Sequence, residues 1–204
     1  MPGVTDVANV ALRLIGQTTI TSRTQGTTTA NIVDDLFDDL RDDLLRSNPW
    51  NFATKRVKLA QSSSTPVFEF DHGYALPSDW LRTVSVHDND AGHGTMFHRV
   101  EFFGTQRSIM TSADAVWIRY IYRVTDPNLW SADFVRAMEL GLARDLAVPV
   151  ASSNTLQDQL SKQFEKKIAQ ARSSDAMGSF PELRNRGSWA SSRGGFRKDD
   201  FLSN

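Results

Sequence analysis

A chain of 204 residues with 40% hydrophobic side chains is long enough to bury one core, or a core and an appendage. Cysteine is absent, which excludes disulfides, thiolate metal sites and cysteine nucleophiles. A net charge of −1 and a pI near 6.4 argue against a dedicated DNA-binding protein, because neutralising phosphates takes a basic surplus.

The first residues, MPGVTDVANV, lack the charged-then-apolar order of a signal peptide, and no apolar run approaches the roughly 18 residues of a spanning helix. The expectation is a soluble protein that stays in the cytoplasm of the cell that makes it, with no membrane partner. Val4, Val7, Ala8, Ala11, Leu12 and Ile15 fall on one face of a short helix that Gly16 ends. Gln17 to Thr29 reads as a polar loop without packing content, and Thr27 to Thr29 offers caps for a second helix running to Asn48, before Pro49. That helix buries Val33, Leu36, Phe37, Leu40 and Leu44. Its other face carries Asp34, Asp35, Asp38, Asp39, Asp42 and Asp43 against a single Arg41. Aspartate is a poor helix-interior residue, and like charges four apart repel by a few tenths of a kcal/mol per pair. Two explanations stand: a solvated face, or a surface that meets the basic side of a neighbouring subunit or repels DNA from a channel wall.

From Trp50 to about Arg123 the residues turn β-branched and aromatic. Phe52 to Leu59, Leu81 to His87, Phe97 to Phe103 and Ala115 to Val124 read as strands of one small antiparallel sheet, with Asp88 to Gly94 as a hairpin loop. A helical pair follows from about Ser131 to Met177. Val135, Met138, Leu142 and Leu146 line its first half; Leu156, Leu160, Phe164, Ile168 and Ala171 line its second. Ser131 caps the start, Pro149 forces a break, and Ser152 to Asn154 supply a fresh cap. Lys162, Lys166, Lys167 and Arg172 crowd the second helix, which Gly178 stops. The tail from Ser179 is rich in Ser, Gly and Arg, with five basic residues and no acid between Arg184 and Lys198, and is expected to order only against a partner. The order is two helices, a β insertion, two helices and a tail: helices in 1–49 and 125–178, sheet in 50–124, arm in 179–204.

Common catalytic signatures are missing: no G-x-S-x-G elbow, phosphate-binding loop, dinucleotide fingerprint or H-E-x-x-H. His87, Asp88, Asp90, His93 and His98 cluster around the hairpin loop in a spacing that matches no closed metal site, so they read as turn residues and solvated histidines. The aspartate stripe lacks the opposed carboxylates of a glycosidase. The expectation is a protein without catalytic residues, cofactor or metal.

Four segments come in a telling order: Trp50-Asn-Phe-Ala-Thr-Lys-Arg56, Tyr74-Ala-Leu-Pro-Ser-Asp-Trp-Leu-Arg82, Val116-Trp-Ile-Arg-Tyr-Ile121 and Asp126-Pro-Asn-Leu-Trp-Ser131. With the Pro149 break, the Lys-rich last helix and Gly187-Ser-Trp189, the chain resembles over nearly its whole length the head-to-tail adaptors of tailed bacteriophages, in particular the tail tubular protein A family of short-tailed phages. The resemblance implies an α+β fold with a four-helix bundle core, an inserted small antiparallel sheet and an extended C-terminal arm. It implies a virion protein forming a ring of twelve subunits beneath the portal. The ring would carry the nozzle, or tail tubular protein B, and extend a channel through which double-stranded DNA passes unread. It casts Arg184, Arg186, Trp189, Arg193, Phe196 and Arg197 as the portal-docking arm. The aspartate stripe with Lys162, Lys166 and Lys167 becomes a subunit interface or channel surface. The alternatives are a head-completion protein of a long-tailed phage and a tail tube protein with polysaccharide-degrading activity.

Overall fold

Helix α1 (Val4–Leu14) opens where the Gly3 backbone N–H donates to Asp6 Oδ2 at 2.8 Å, and it buries Val7, Ala8, Ala11 and Leu12. Gly16, at φ +73°, turns the chain away while the Gln17 N–H donates to the Leu12 carbonyl at 2.9 Å. The loop that follows does have packing content, contrary to expectation. Ile20 is buried and pinned by Asn9, whose side-chain amide bonds both its N–H and its carbonyl (2.8 and 2.9 Å). Helices α2 (Thr28–Ser47), α3 (Ala132–Leu146) and α4 (Asn154–Met177) are capped by the hydroxyls of Thr27, Ser131 and Ser153, each accepting from a backbone N–H three residues on. The computed structural model describes residues 3–94 and 96–178.

These helices do not form a four-helix bundle, and only the α+β class of the expected fold stands. Helix α3 is the hub on which α1, α2 and α4 each pack, while α2 also lies against the sheet strands β3 and β6 described below. The cause is the make-up of α3. It buries Phe134, Ala137, Met138, Leu140, Gly141, Leu142, Ala143 and Leu146, so it is apolar nearly all round and accepts neighbours on several sides. Gly141 is the tightest point: a Cβ there would stand 3.1 Å from Phe164 of α4 and 3.2 Å from Leu40 of α2. Helix α4 fully buries only Leu160, Ile168 and Ala171, a single row with α3 beneath it and solvent on the other sides.

The β region is two three-stranded antiparallel sheets, not one. In the first, β6 (Trp117–Tyr122) lies between β1 (Thr54–Lys58) and β3 (Trp80–His87). In the second, β5 (Gln106–Thr111) lies between β2 (His72–Ala75) and β4 (Arg99–Phe103). Since β3 and β4 belong to different sheets, Asp88 to Gly94 is a crossing connection and not a hairpin loop. The tight hairpin is β4–β5, where Phe103 pairs with Gln106 across Gly104 and Thr105, with Gly104 at φ +65°. One face of the first sheet packs on the second: Val86, Ile118 and Tyr120 meet Tyr74 and Ile109. On its other side, Leu81 and Ile121 join the helical core.

That core closes around aromatics. Phe134 makes edge contacts with Trp50, Phe52 and Trp130 at centroid distances of 5.3, 5.0 and 5.3 Å. Both indole N–H groups are satisfied, Trp50 donating to the Leu44 carbonyl (2.8 Å) and Trp130 to that of Val124 (3.0 Å).

Candidate interaction surfaces

The aspartates of α2 divide into two rows with different partners. Asp34, Asp38 and Asp42 form the inner row, one helical turn apart, and are held by three arginines. Arg41, only 7% exposed, donates from Nε and Nη2 to Asp42 Oδ1 (2.9 and 2.8 Å) and from Nη1 to Asp38 Oδ1 (3.0 Å). Arg23, from the loop after α1, reaches Asp38 at 3.2 Å and Asp34 at 3.3 Å and lays its guanidinium over the Phe37 ring. Arg123, just past β6, donates to Asp42 Oδ2 at 2.7 Å. This row staples α2 to the loop and to the sheet. Arg23 and Arg123 lie 15 and 81 residues from their partners, beyond the reach of helical spacing rules.

Asp35, Asp39 and Asp43 form the outer row, exposed and without an ion pair among the described residues. Of the lysines expected to oppose them, Lys167 is already engaged: its Nζ donates to Asp133 Oδ1 at 2.6 Å, tying α4 to the first turn of α3. Hydrogen bonds from Lys167 and then Ser174 hold the Asp133 carboxyl below the usual carboxylate range. Lys162 and Lys166 remain exposed, one turn apart on α4.

Three of the segments that carry the resemblance converge on Asp79. Its carboxylate accepts from Lys55 Nζ at 2.8 Å and from the Tyr120 hydroxyl at 3.0 Å, and its carbonyl accepts from the Arg123 N–H at 2.7 Å. Burial, then the hydrogen bond and charge of Asp79, push the Tyr120 phenol up to about 12. The fourth segment contributes Trp130 to the aromatic core. These residues are therefore structural: Asp79 ties β1, β6 and the entry to β3 together, and Trp130 packs in the helical core. At the far end of α4, Asp175 accepts from the Asn51 N–H at 3.1 Å, with its carboxyl raised first by burial.

Two of the histidines near the crossing connection, His87 and His98, point to backbone. His87 Nδ1 stands 3.0 Å from the Gly94 carbonyl, and His98 Nδ1 the same distance from that of Met96. Among the described residues no three His, Asp or Glu side chains are grouped to hold a metal. Arg184, Arg186, Trp189, Arg193, Phe196 and Arg197 lie outside the described residues. No helix of the described residues is long and apolar enough to cross a membrane. The chain matches no protein-family model, and no curated protein matches it in sequence.

Proposed function

We propose that this is a structural virion protein of a tailed bacteriophage: a head-to-tail adaptor whose copies form a ring between the portal and the tail nozzle and extend the DNA channel. The observation that carries the ring is the outer row of α2. Asp35, Asp39 and Asp43 repel one another at one-turn spacing and weaken the helix, and no described residue offsets them. A cationic row on a neighbouring copy would offset them, and Lys162 and Lys166 repeat at the same one-turn spacing. What supports the place in the virion is the ordered set of segments meeting at Asp79 and Trp130. The protein acts by assembly and turns over no substrate.

Sedimentation of the purified chain at low and high salt tests the ring. Exposed charge pairs are screened beyond roughly 8 Å at physiological ionic strength, so assembly weakens as salt rises. A ring indifferent to salt removes the electrostatic contact. Truncation after Gly178 tests the arm: the shortened chain keeps its thermal transition and loses retention on immobilised portal. Equal retention moves portal docking onto the folded part.

A further inference from the structure

We propose that the free edge of β4 pairs antiparallel with β4 of a second copy, about a two-fold axis at Val100. Strand β4 ends its sheet: it pairs with β5 alone, and among the described residues no backbone hydrogen bond reaches its other edge. Two usual guards of an open edge, a bulge and a proline, are missing, since the register with β5 runs unbroken from Arg99 to Phe103. Its apolar side chains are left bare: Phe102 is 69% exposed, Val100 41%, and Phe97, just before the strand, 70%. A regular strand edge that shows unpaired backbone and bare apolar side chains is a template for another strand.

Backbone direction fixes which residues can pair. The Leu76 N–H donates to the Arg107 carbonyl at 2.9 Å on the β2 side of β5, so Gln106, Ser108 and Met110 turn toward β4, opposite Phe103, Glu101 and Arg99. In step with these, the Phe97 carbonyl accepts from the Thr111 hydroxyl at 3.0 Å. His98, Val100 and Phe102 therefore aim their N–H and C=O groups outward. Registers centred on Arg99 or Glu101 would set like charges face to face. The register centred on Val100 sets Arg99 against Glu101 in both halves, at the closer spacing of a non-hydrogen-bonded pair. It also opposes Val100 to Val100, His98 to Phe102 and Phe97 to Phe103. That self-matching in charge and apolar side chains names a second copy of this chain as the occupant. Glu69 already lies 3.3 Å from Arg99, whose side chain is 59% exposed and keeps donors for a second carboxylate. The contact is two-fold and does not depend on the ring, whose contacts run head to tail.

Sedimentation of the full chain, from dilute to about 100 µM at high salt, tests it: the charge contact of the ring is screened there, while backbone bonds and apolar contacts persist. A reversible dimer is expected. Val100→Pro removes an outward N–H and no bond to β5, so it should weaken the dimer at least about tenfold while the protomer keeps its fold. The chain has no cysteine, so single cysteines read the register. Opposed Val100 Cα atoms would stand about 5.5 Å apart, within disulfide reach. Val100→Cys should therefore give a covalent dimer under mild oxidation, and Glu101→Cys, which faces Arg99, should not. Protomers that stay single at every concentration give the edge to a strand of another protein and overturn the pairing. So does a dimer indifferent to Val100→Pro, or one cross-linked as readily through Glu101→Cys as through Val100→Cys.

Discussion

Neighbouring aspartates of α2 should respond to alanine with opposite signs. Asp42→Ala strips Arg41 of two hydrogen bonds, at 2.9 and 2.8 Å, and Arg123 of one at 2.7 Å. Arg41 is 7% exposed, so water cannot replace what it loses, whereas Arg123 at 43% is largely resolvated. A charged group left short of a buried partner costs about 1.5–3 kcal/mol, against which alanine returns roughly 0.6 kcal/mol of helix propensity. Asp42→Ala should therefore destabilise the protomer by about 1–2 kcal/mol. Asp39→Ala removes nothing comparable. It gains the same propensity and relieves two like-charge pairs, with Asp35 and Asp43, at roughly 0.2–0.5 kcal/mol each, a stabilisation of about 1 kcal/mol. In a domain of this size 1 kcal/mol moves Tm by about 2–4 °C, so circular dichroism melts at low salt, at a protein concentration low enough to keep the protomer unassembled, resolve the two. The same Asp39→Ala should weaken assembly in sedimentation at low salt. A lower Tm for both variants, or unchanged assembly in Asp39→Ala, refutes the division into a stapling row and a docking row.

Gly141→Leu should lower the urea midpoint by the equivalent of about 1–3 kcal/mol, since even a Cβ there stands 3.1 Å from Phe164; an unchanged midpoint would show that α2 and α4 do not close on that point. The depressed Asp133 carboxyl contributes stability that is complete above about pH 4 and lost as pH falls through its folded value, so Lys167→Met should flatten the acid limb of urea stability; an identical limb contradicts the ion pair. The raised Tyr120 phenol contributes stability present below about pH 10 and lost as pH climbs toward 12. Tyr120→Phe should reduce that alkaline loss, and in the parent an absorbance titration should show two of the three tyrosines, Tyr74 and Tyr120, ionising late, one of which disappears in the variant.

The helices were legible because their signals are local. Thr27, Ser131 and Ser153 each act on an N–H three residues away, and Gly16 and Gly178 end helices where they stand. Their arrangement was not, because an apolar stripe says that a face is buried without saying against what. The surround of α3 shows only once the small residues Ala137, Gly141 and Ala143 admit close neighbours. Strand β2 has four residues including a glycine, and β5 opens on Gln106 and Arg107; both depend on pairing with each other and not on their own alternation. The Phe103-Gly104-Thr105-Gln106 turn was a signal that could have found β5. The acidic helix was visible as a stripe, but its division into two rows rests on Arg23 and Arg123, which only the tertiary fold brings to it.

The adaptor reading is tested most directly by negative-stain imaging of the purified protein, alone and mixed with its portal at low salt. It predicts closed rings seated coaxially on the portal, with a central opening wide enough for duplex DNA. Single protomers in both samples, with the portal undecorated, would contradict it.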